Sequence, residues 1–342
     1  MTYAQYGTVQ ATDFNLMVTG DSSGSANTAN AALNTFWAIG NQNKGYGQPA
    51  TAAAVAGDTI TVAKWANLVA NTAQAATHQG STITSVAVPV VGGTVTYLSA
   101  IPTNLTTVTS NRLNAASQGS TSANTATYGS AWLNAITFTH TVTFASGDAA
   151  RYFFNAGGQL AITCSHPAGT GIDLLLNNLA SNVGTIVMSS PTTGSVSVAG
   201  TSYNGITKIG GGGNTPTIGT NTGYFALTTS NATAFNQIAS TGPAGYLSTF
   251  VNMQVKSNGT QGANGDAGSV VTIYTVWDEI PNGLSVSAGS ATSVTLRPPE
   301  TTNIANTTII SYLSCIFSNN HLVIYALVLP PENDISNFCF II

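Results

Sequence analysis

Charge is what this sequence has least of. Asp, Glu, Lys and Arg make up 5% of its 342 residues, against roughly a quarter in an ordinary soluble domain. Thr, Ser, Asn, Ala and Gly take their place. An exposed surface so poor in charge is prone to association, so neighbours in an assembly are expected to cover much of it. The seven basic residues, Lys44, Lys64, Arg112, Arg151, Lys208, Lys256 and Arg297, are scattered. No cluster is available to neutralise a phosphate backbone, and a nucleic-acid partner is not expected. Cysteine is scarce too. Cys164, Cys315 and Cys339 form no CxxC and no metal-ligand spacing, so buried thiols are expected and neither a metal nor a cofactor. The longest apolar run, Leu322 to Pro330, is far short of the ~18 residues of a membrane span, and no membrane insertion is expected. The N-terminal MTYAQYGTVQ lacks the basic and apolar regions of a secretory signal, which points to a protein made in the cytoplasm.

Catalytic patterns are missing as well. His78, His140, His166 and His321 stand far apart, with no HExxH or HxH. His140 falls on the apolar face of its strand, where a hydrogen-bonded core histidine is expected. Asp278 and Glu279 are adjacent, and neighbours on a strand point to opposite faces, so this pair cannot flank a glycosidic bond. Asp148 and Arg151 are spaced to pair structurally. Gly210–Gly213 has no following Lys-Ser/Thr, as a P-loop would need, and no GxSxG occurs. An enzyme is not expected.

What is present divides into three parts. Residues 1–80 read as helical. Apolar residues recur at helical spacing in Ala26–Ile39 and again in Val62–His78, the second run opened by Thr61 and closed by Gly80. A weak repeat at an offset of 51 residues pairs Val9–Phe14 with Ile60–Trp65, and Met17 with Leu68. Each copy is an apolar entry residue followed by a helix with an aromatic anchor. Phe14, Trp37, Tyr46 and Trp65 are the candidate anchors by which this module docks.

Residues 81–300 change texture. Ile83, Val86, Val88 and Val90 start a strand-like alternation, and Ile136–Phe144 is a clean period-two strand with threonines on the outer face. Arg151–Phe154 and Gln159–Cys164 read as two strands turning at Asn155–Gly158. Gly171–Ala180 reads as a short helix. Further strands are expected at 185–189, 195–199, 223–229, 247–256, 269–277 and 292–297. The fold class is therefore mainly β: an N-terminal helical module, then one or two antiparallel sandwich-like regions with one or two short helices. Tyr203, Tyr224, Phe225 and Tyr246 lie near Gly-, Asn- and Thr-rich loops. They are candidates for contact with a host glycan or protein; the alternative is that they fill the β core.

Residues 301–342 differ again. No glycine follows Gly289 in a chain that holds 35, two of the three cysteines are here, and Ile310–Leu329 and Phe338–Ile342 are apolar. Such a tail would aggregate if exposed. It reads as a final strand or an intersubunit arm, or as the product of a reading-frame change near residue 308.

Several phrases together resemble virion structural proteins of marine T-even-like tailed phages, including cyanophages. They are Gly45-Tyr46-Gly47-Gln48; Val55-x-Gly57-x-x-Ile60-x-x-x-x-Trp65-x-x-Leu68 followed by His78-Gln79-Gly80; and Arg151 through Leu160. Their order spans residues 1 to about 165. From 166 to 300 only the texture agrees, and beyond 301 nothing matches. The resemblance implies a tail, neck or fibre component with no catalytic residues, assembled with other virion proteins and with its own copies, a trimer first. A receptor-binding tip, a capsid decoration protein and, less favoured, a polysaccharide-degrading tail enzyme are the alternatives.

Overall fold

A computed structural model describes residues 11–20, 31–55, 57, 59–91, 100–191, 194–219, 222–242, 245–261, 264–278, 283–305, 309–318 and 321–328. The chain is mainly β, with its helices concentrated toward the N-terminus. Four helices make up the first part: α1 Ala11–Val18, α2 Leu33–Trp37, α3 Val62–Gln79 and α4 Ala100–Ser110. They share one core, in which Phe14, Leu33, Phe36, Trp37, Trp65, Leu68, Ile101 and Leu105 are buried together. The two copies of the weak repeat meet here. The Phe14 and Trp65 rings pack edge to face at 5.2 Å, and Met17 and Leu68 are both buried.

Helix α3 has the expected caps. The Thr61 hydroxyl accepts from Lys64 N, and Gly80 adopts a left-handed φ of +68° while its N–H reaches Ala76 and Thr77. Thr61→Ala removes the acceptor for that first-turn amide, so a loss of about 1 kcal/mol in chemical unfolding is expected. The first expected helix is shorter than its periodicity predicts: α2 covers only Leu33–Trp37, and residues 21–30 lie outside the described part.

The strands form two antiparallel sheets that share one core. Strands are numbered β1 Ser122–Thr127, β2 Ala135–Phe144, β3 Gln159–Ser165, β4 Thr185–Met188, β5 Val196–Val198, β6 Thr201–Tyr203, β7 Ile206–Ile209, β8 Thr217–Ile218, β9 Ala232–Ile238, β10 Phe250–Ser257, β11 Val270–Asp278, β12 Ala291–Arg297, β13 Ile309–Ser318 and β14 His321–Val328. One sheet runs β1-β12-β3-β4-β7 and the other β14-β13-β2-β11-β10-β9-β8, with β5-β6 as a separate ribbon. Strand β2 alternates inward and outward without a break, its even-numbered residues buried. Ile136, Phe138, Val142 and Phe144 meet Leu160, Ile162, Ile186 and Val294 of the opposite sheet in the shared core. Helix α6, Ile172–Val183, packs on β3, β9 and β10 and adds Leu175, Leu176, Leu179 and Val183 to it. Leu174 on the same helix is 48% exposed.

Three expectations fail. The aromatic run Arg151–Phe154 is not a strand but lies in helix α5, Gly147–Asn155. Ser146 caps it by accepting from Ala149 N, and Asp148 sits in the first turn, where a negative charge suits the helix dipole. Residues 155–158 therefore link a helix to β3 and are not a hairpin turn. Residues 81–90 form no strand, and from them Ile83 and Val86 pack against the helical core. Residues 223–229 hold only a 3-10 turn at Tyr224–Ala226. The sequence pattern does not predict helix α4 or strands β1, β6, β7, β8 and β9.

Candidate functional site

Parts of the phrases that carry the resemblance, residues 45–48, 78–79 and 151–156, are far apart in sequence and meet at one seam, where the helical module joins the sheets. The loop Gly45-Tyr46-Gly47-Gln48 lies at its centre. Tyr46 is buried among Phe36, Trp37 and His78. Its hydroxyl donates to Arg112 O at 2.5 Å and accepts from Gln79 Nε2 at 2.8 Å. Burial pushes the phenol well above its ordinary pKa, so it remains a neutral donor.

Glycine is required on either side of Tyr46. A Cβ on Gly45 (φ +100°) would lie 2.0 Å from Ile39 O, and one on Gly47 (φ +70°) 2.4 Å from the Tyr152 ring. The glycines thus let the loop close against helix α5. Arg151, on that helix, is 1% exposed. Its guanidinium donates to Asp148 Oδ1 at 2.8 and 3.1 Å, to Lys44 O at 2.6 Å and to Ile39 O at 2.8 Å. One turn on, Asn155 Nδ2 reaches Gln42 O and Gly45 O, both at 3.2 Å. Two side chains of the sheet region therefore hold four carbonyls of the 39–45 loop. These carbonyls would otherwise enter an interior that penalises unpaired acceptors.

The histidine phrase closes the seam. His78 Nε2 donates to Ala156 O at 3.1 Å, and its Nδ1 faces Glu300 Oε1 at 3.1 Å. Burial lowers the His78 pKa, and Glu300 opposes that shift. Glu300 is held below the usual carboxylate range: burial works against it, but His78, Asn303 and the Thr302 N–H outweigh burial. With oxygens at both ring nitrogens, His78 and Glu300 require one shared proton between them.

Neutral amides make the remaining joints. Asn15 pairs with the N–H and C=O of Ala54, Asn34 with those of Thr51, Asn104 with those of Thr84, and Gln48 with those of Ala305. A side-chain amide has the same donor and acceptor as a peptide group, so each pair imitates one rung of a β-ladder. The last joint fixes the link between β12 and β13 onto the helical module, where Ile304 is also buried.

A second buried cluster has the composition of a hydrolase triad. His166 Nε2 lies 3.1 Å from Asp173 Oδ1, and its Nδ1 lies 2.9 Å from Ser290 Oγ. Its surroundings give it another role. Ser290 is fully buried, and its oxygen also accepts from Trp132 Nε1 at 3.0 Å. Asp173 accepts from Ser287 N and Oγ. A hydroxyl sealed beneath an indole has no path to a substrate, so the cluster ties α6 to the loop before β12.

Each candidate from the sequence now has a place. Phe14, Trp37, Tyr46 and Trp65 are all buried in this chain's own helical core, so any part they play in docking is to hold the module's shape. Tyr203 and Tyr224 are buried at 5% and 0% exposure. Tyr224 stacks on Phe154 with ring centroids 4.2 Å apart. Phe225 and Tyr246 are partly buried against the sandwich core. Tyr203 and Tyr224 are therefore interior residues, and the glycan-binding reading loses its basis at those two, while Phe225 and Tyr246 stay partly exposed. A cavity of about 440 Å³ opens between α3, the 81–86 segment and α4. It is lined by residues such as Val69, Ala76, Ile83, Val86 and Ile101, with no carboxylate, histidine or cysteine. Among the described residues no cluster of His, Cys, Asp or Glu could hold a metal ion. No helix among them is long and apolar enough to cross a membrane.

Comparison with protein-family models, curated proteins and solved structures finds no match to this chain.

Proposed function

We propose that this chain is a structural component of a tailed-phage virion, a tail, neck or fibre appendage that works by protein–protein assembly. One observation carries the reading. Parts of the three phrases that resemble such proteins converge on a single seam, where His78, Arg151 and the Asn155 amide nitrogen hydrogen-bond across the join between the helical module and the sheets. Residues shared for catalysis would be expected around an accessible cleft, whereas these are buried and paired with backbone. The scarcity of charge supports the same reading, because a surface with few charges is stable in solution chiefly when partners cover it.

Particles purified from a lysate test this directly. The protein should be found in them by mass spectrometry, and an antibody against it should mark one place on the particle in electron micrographs. Its absence from washed particles would end the proposal. Light scattering on the purified protein addresses the assembly. A mass of three times 34.8 kDa is expected for a fibre or appendage. A monomer would instead favour a decoration or adaptor protein that assembles only on its particle.

A further inference from the structure

Of the histidines whose side chains are described, His78, His140 and His166, only His140 has no carboxylate within ion-pair distance. It lies on the inward face of β2 at 2% exposure. Its Nδ1 is 2.8 Å from Ser314 Oγ on β13, and its Nε2 is 2.8 Å from Thr292 Oγ1 on β12 of the opposite sheet. Ser314 Oγ in turn donates to Asn124 Oδ1 on β1. The donors run in one direction. Thr292 donates to Nε2, Nδ1–H donates to Ser314, and Ser314 donates to Asn124. This order requires a neutral ring protonated on Nδ1. The relay joins four strands, two from each sheet, and Ser314 is the cross-strand partner of His140 where β13 pairs with β2.

We propose that this relay is an acid-opened latch: it holds β13, and with it the C-terminal strand pair, to the sandwich while the ring is neutral, and releases them on acidification. The contrast with the other two described histidines is the reason. An added proton on His78 or His166 meets Glu300 or Asp173 at 3.1 Å. An added proton on His140 meets only hydroxyls. It must reverse the Thr292 hydroxyl, and it leaves a lone cation in an apolar core. From β1, β12 and β13 the groups facing His140 are Asn124, Thr292 and Ser314, and its partner on β11 is Ile273. Two thiols flank the relay along its strands. Cys164 on β3 is the cross-strand partner of Thr292, and burial pushes it up so that it stays neutral. Cys315 follows Ser314 and so projects from the other face of its sheet. No charged group offsets the burial that lowers the His140 pKa to about 4.

The sign follows. The ring's pKa is lower folded than free, so the latch is intact above the free value of 6.5 and is lost as pH falls toward 4. Release restores the free ring, so the open population should rise by up to roughly two powers of ten between pH 7.5 and pH 4.5. Cys315, on β13 and 2% exposed, reports this directly. In a Cys164→Ser, Cys339→Ser background, its reaction with dithiodipyridine is followed at each pH and normalised to a small thiol. Acceleration of tens-fold by pH 4.5 is expected, with near-UV circular dichroism still native. In His140→Asn the acceleration should vanish. Ser314→Ala cuts the same link without touching the ring, and should make Cys315 react faster at pH 7.5. A flat pH profile in the parent protein would overturn the latch. So would an unchanged profile in His140→Asn, or an unchanged rate at pH 7.5 in Ser314→Ala.

Discussion

Replacing Arg151 with alanine should lower the stability of the folded chain by roughly 3 kcal/mol, because it removes a buried, hydrogen-bonded guanidinium from two backbone carbonyls and a partly exposed carboxylate. The guanidinium is enclosed, and it uses its donors on Asp148, Lys44 O and Ile39 O together. Its plane also lies over the Tyr152 ring at 4.8 Å. The alanine variant strands two loop carbonyls at once, at the point where the helical module meets the sheets, and leaves Asp148 with only the Gly265 N–H and solvent. Urea unfolding at neutral pH should therefore show a lower midpoint. It should also show an early transition in which the helical signal is lost before the tryptophans of the sandwich are exposed. Arg151→Lys should recover little, because an ammonium cannot span both carbonyls and the carboxylate in one plane. A change below 1 kcal/mol, with a single transition, would mean that the seam is held by packing alone.

Gly45→Ala should have an effect of similar size for a different reason. Its φ of +100° lies where an L-residue is strained, and the new methyl would sit 2.0 Å from a backbone oxygen and 3.0 Å from the Arg151 guanidinium. The obstacle is backbone, which cannot swing aside as a side chain can, so a loss of about 3 kcal/mol or more is expected. Gly57 supplies the control. Its φ is +88°, but nothing lies within 4 Å of the position its Cβ would take. Gly57→Ala should cost only the intrinsic penalty, about 1 kcal/mol. Thermal denaturation of the two variants side by side separates steric contact from backbone preference. Equal losses would show that close approach at Gly45 is unimportant.

The sequence was most readable where the signal is local. Thr61 and Gly80 mark both ends of α3 because capping acts within one turn. The alternation in 136–144 reports a half-buried strand directly. It misled at α5, where a run of aromatics has strand propensity, while the deciding features are Ser146 as a cap and the helical spacing of Ala150, Phe153 and Phe154. Helix α4 was hidden by its threonines. Thr106, Thr107 and Ser110 are weak helix formers, yet each hydroxyl bonds to the carbonyl four residues back, and Pro102 is tolerated in the first turn. The seam was half legible. Its phrases stood out one by one, but their meeting depends on contacts between residues 33 to 113 apart in sequence, which no local pattern encodes. The loop tyrosines were placed by their flanking residues, and Tyr224 shows the weakness of that approach: the loop turns inward and stacks the ring on Phe154.

The amide joints of the helical module bear on where such a protein can remain intact. Asn15, Asn34, Asn104 and Gln48 hold backbone with groups that carry no net charge. Mobile ions screen interactions between charges and leave neutral hydrogen bonds almost untouched. A module fastened in this way should keep its shape from dilute buffer to brine, where a module fastened by surface ion pairs would loosen. The shortage of charge that would make a lone chain prone to associate also makes these four amide joints indifferent to salinity.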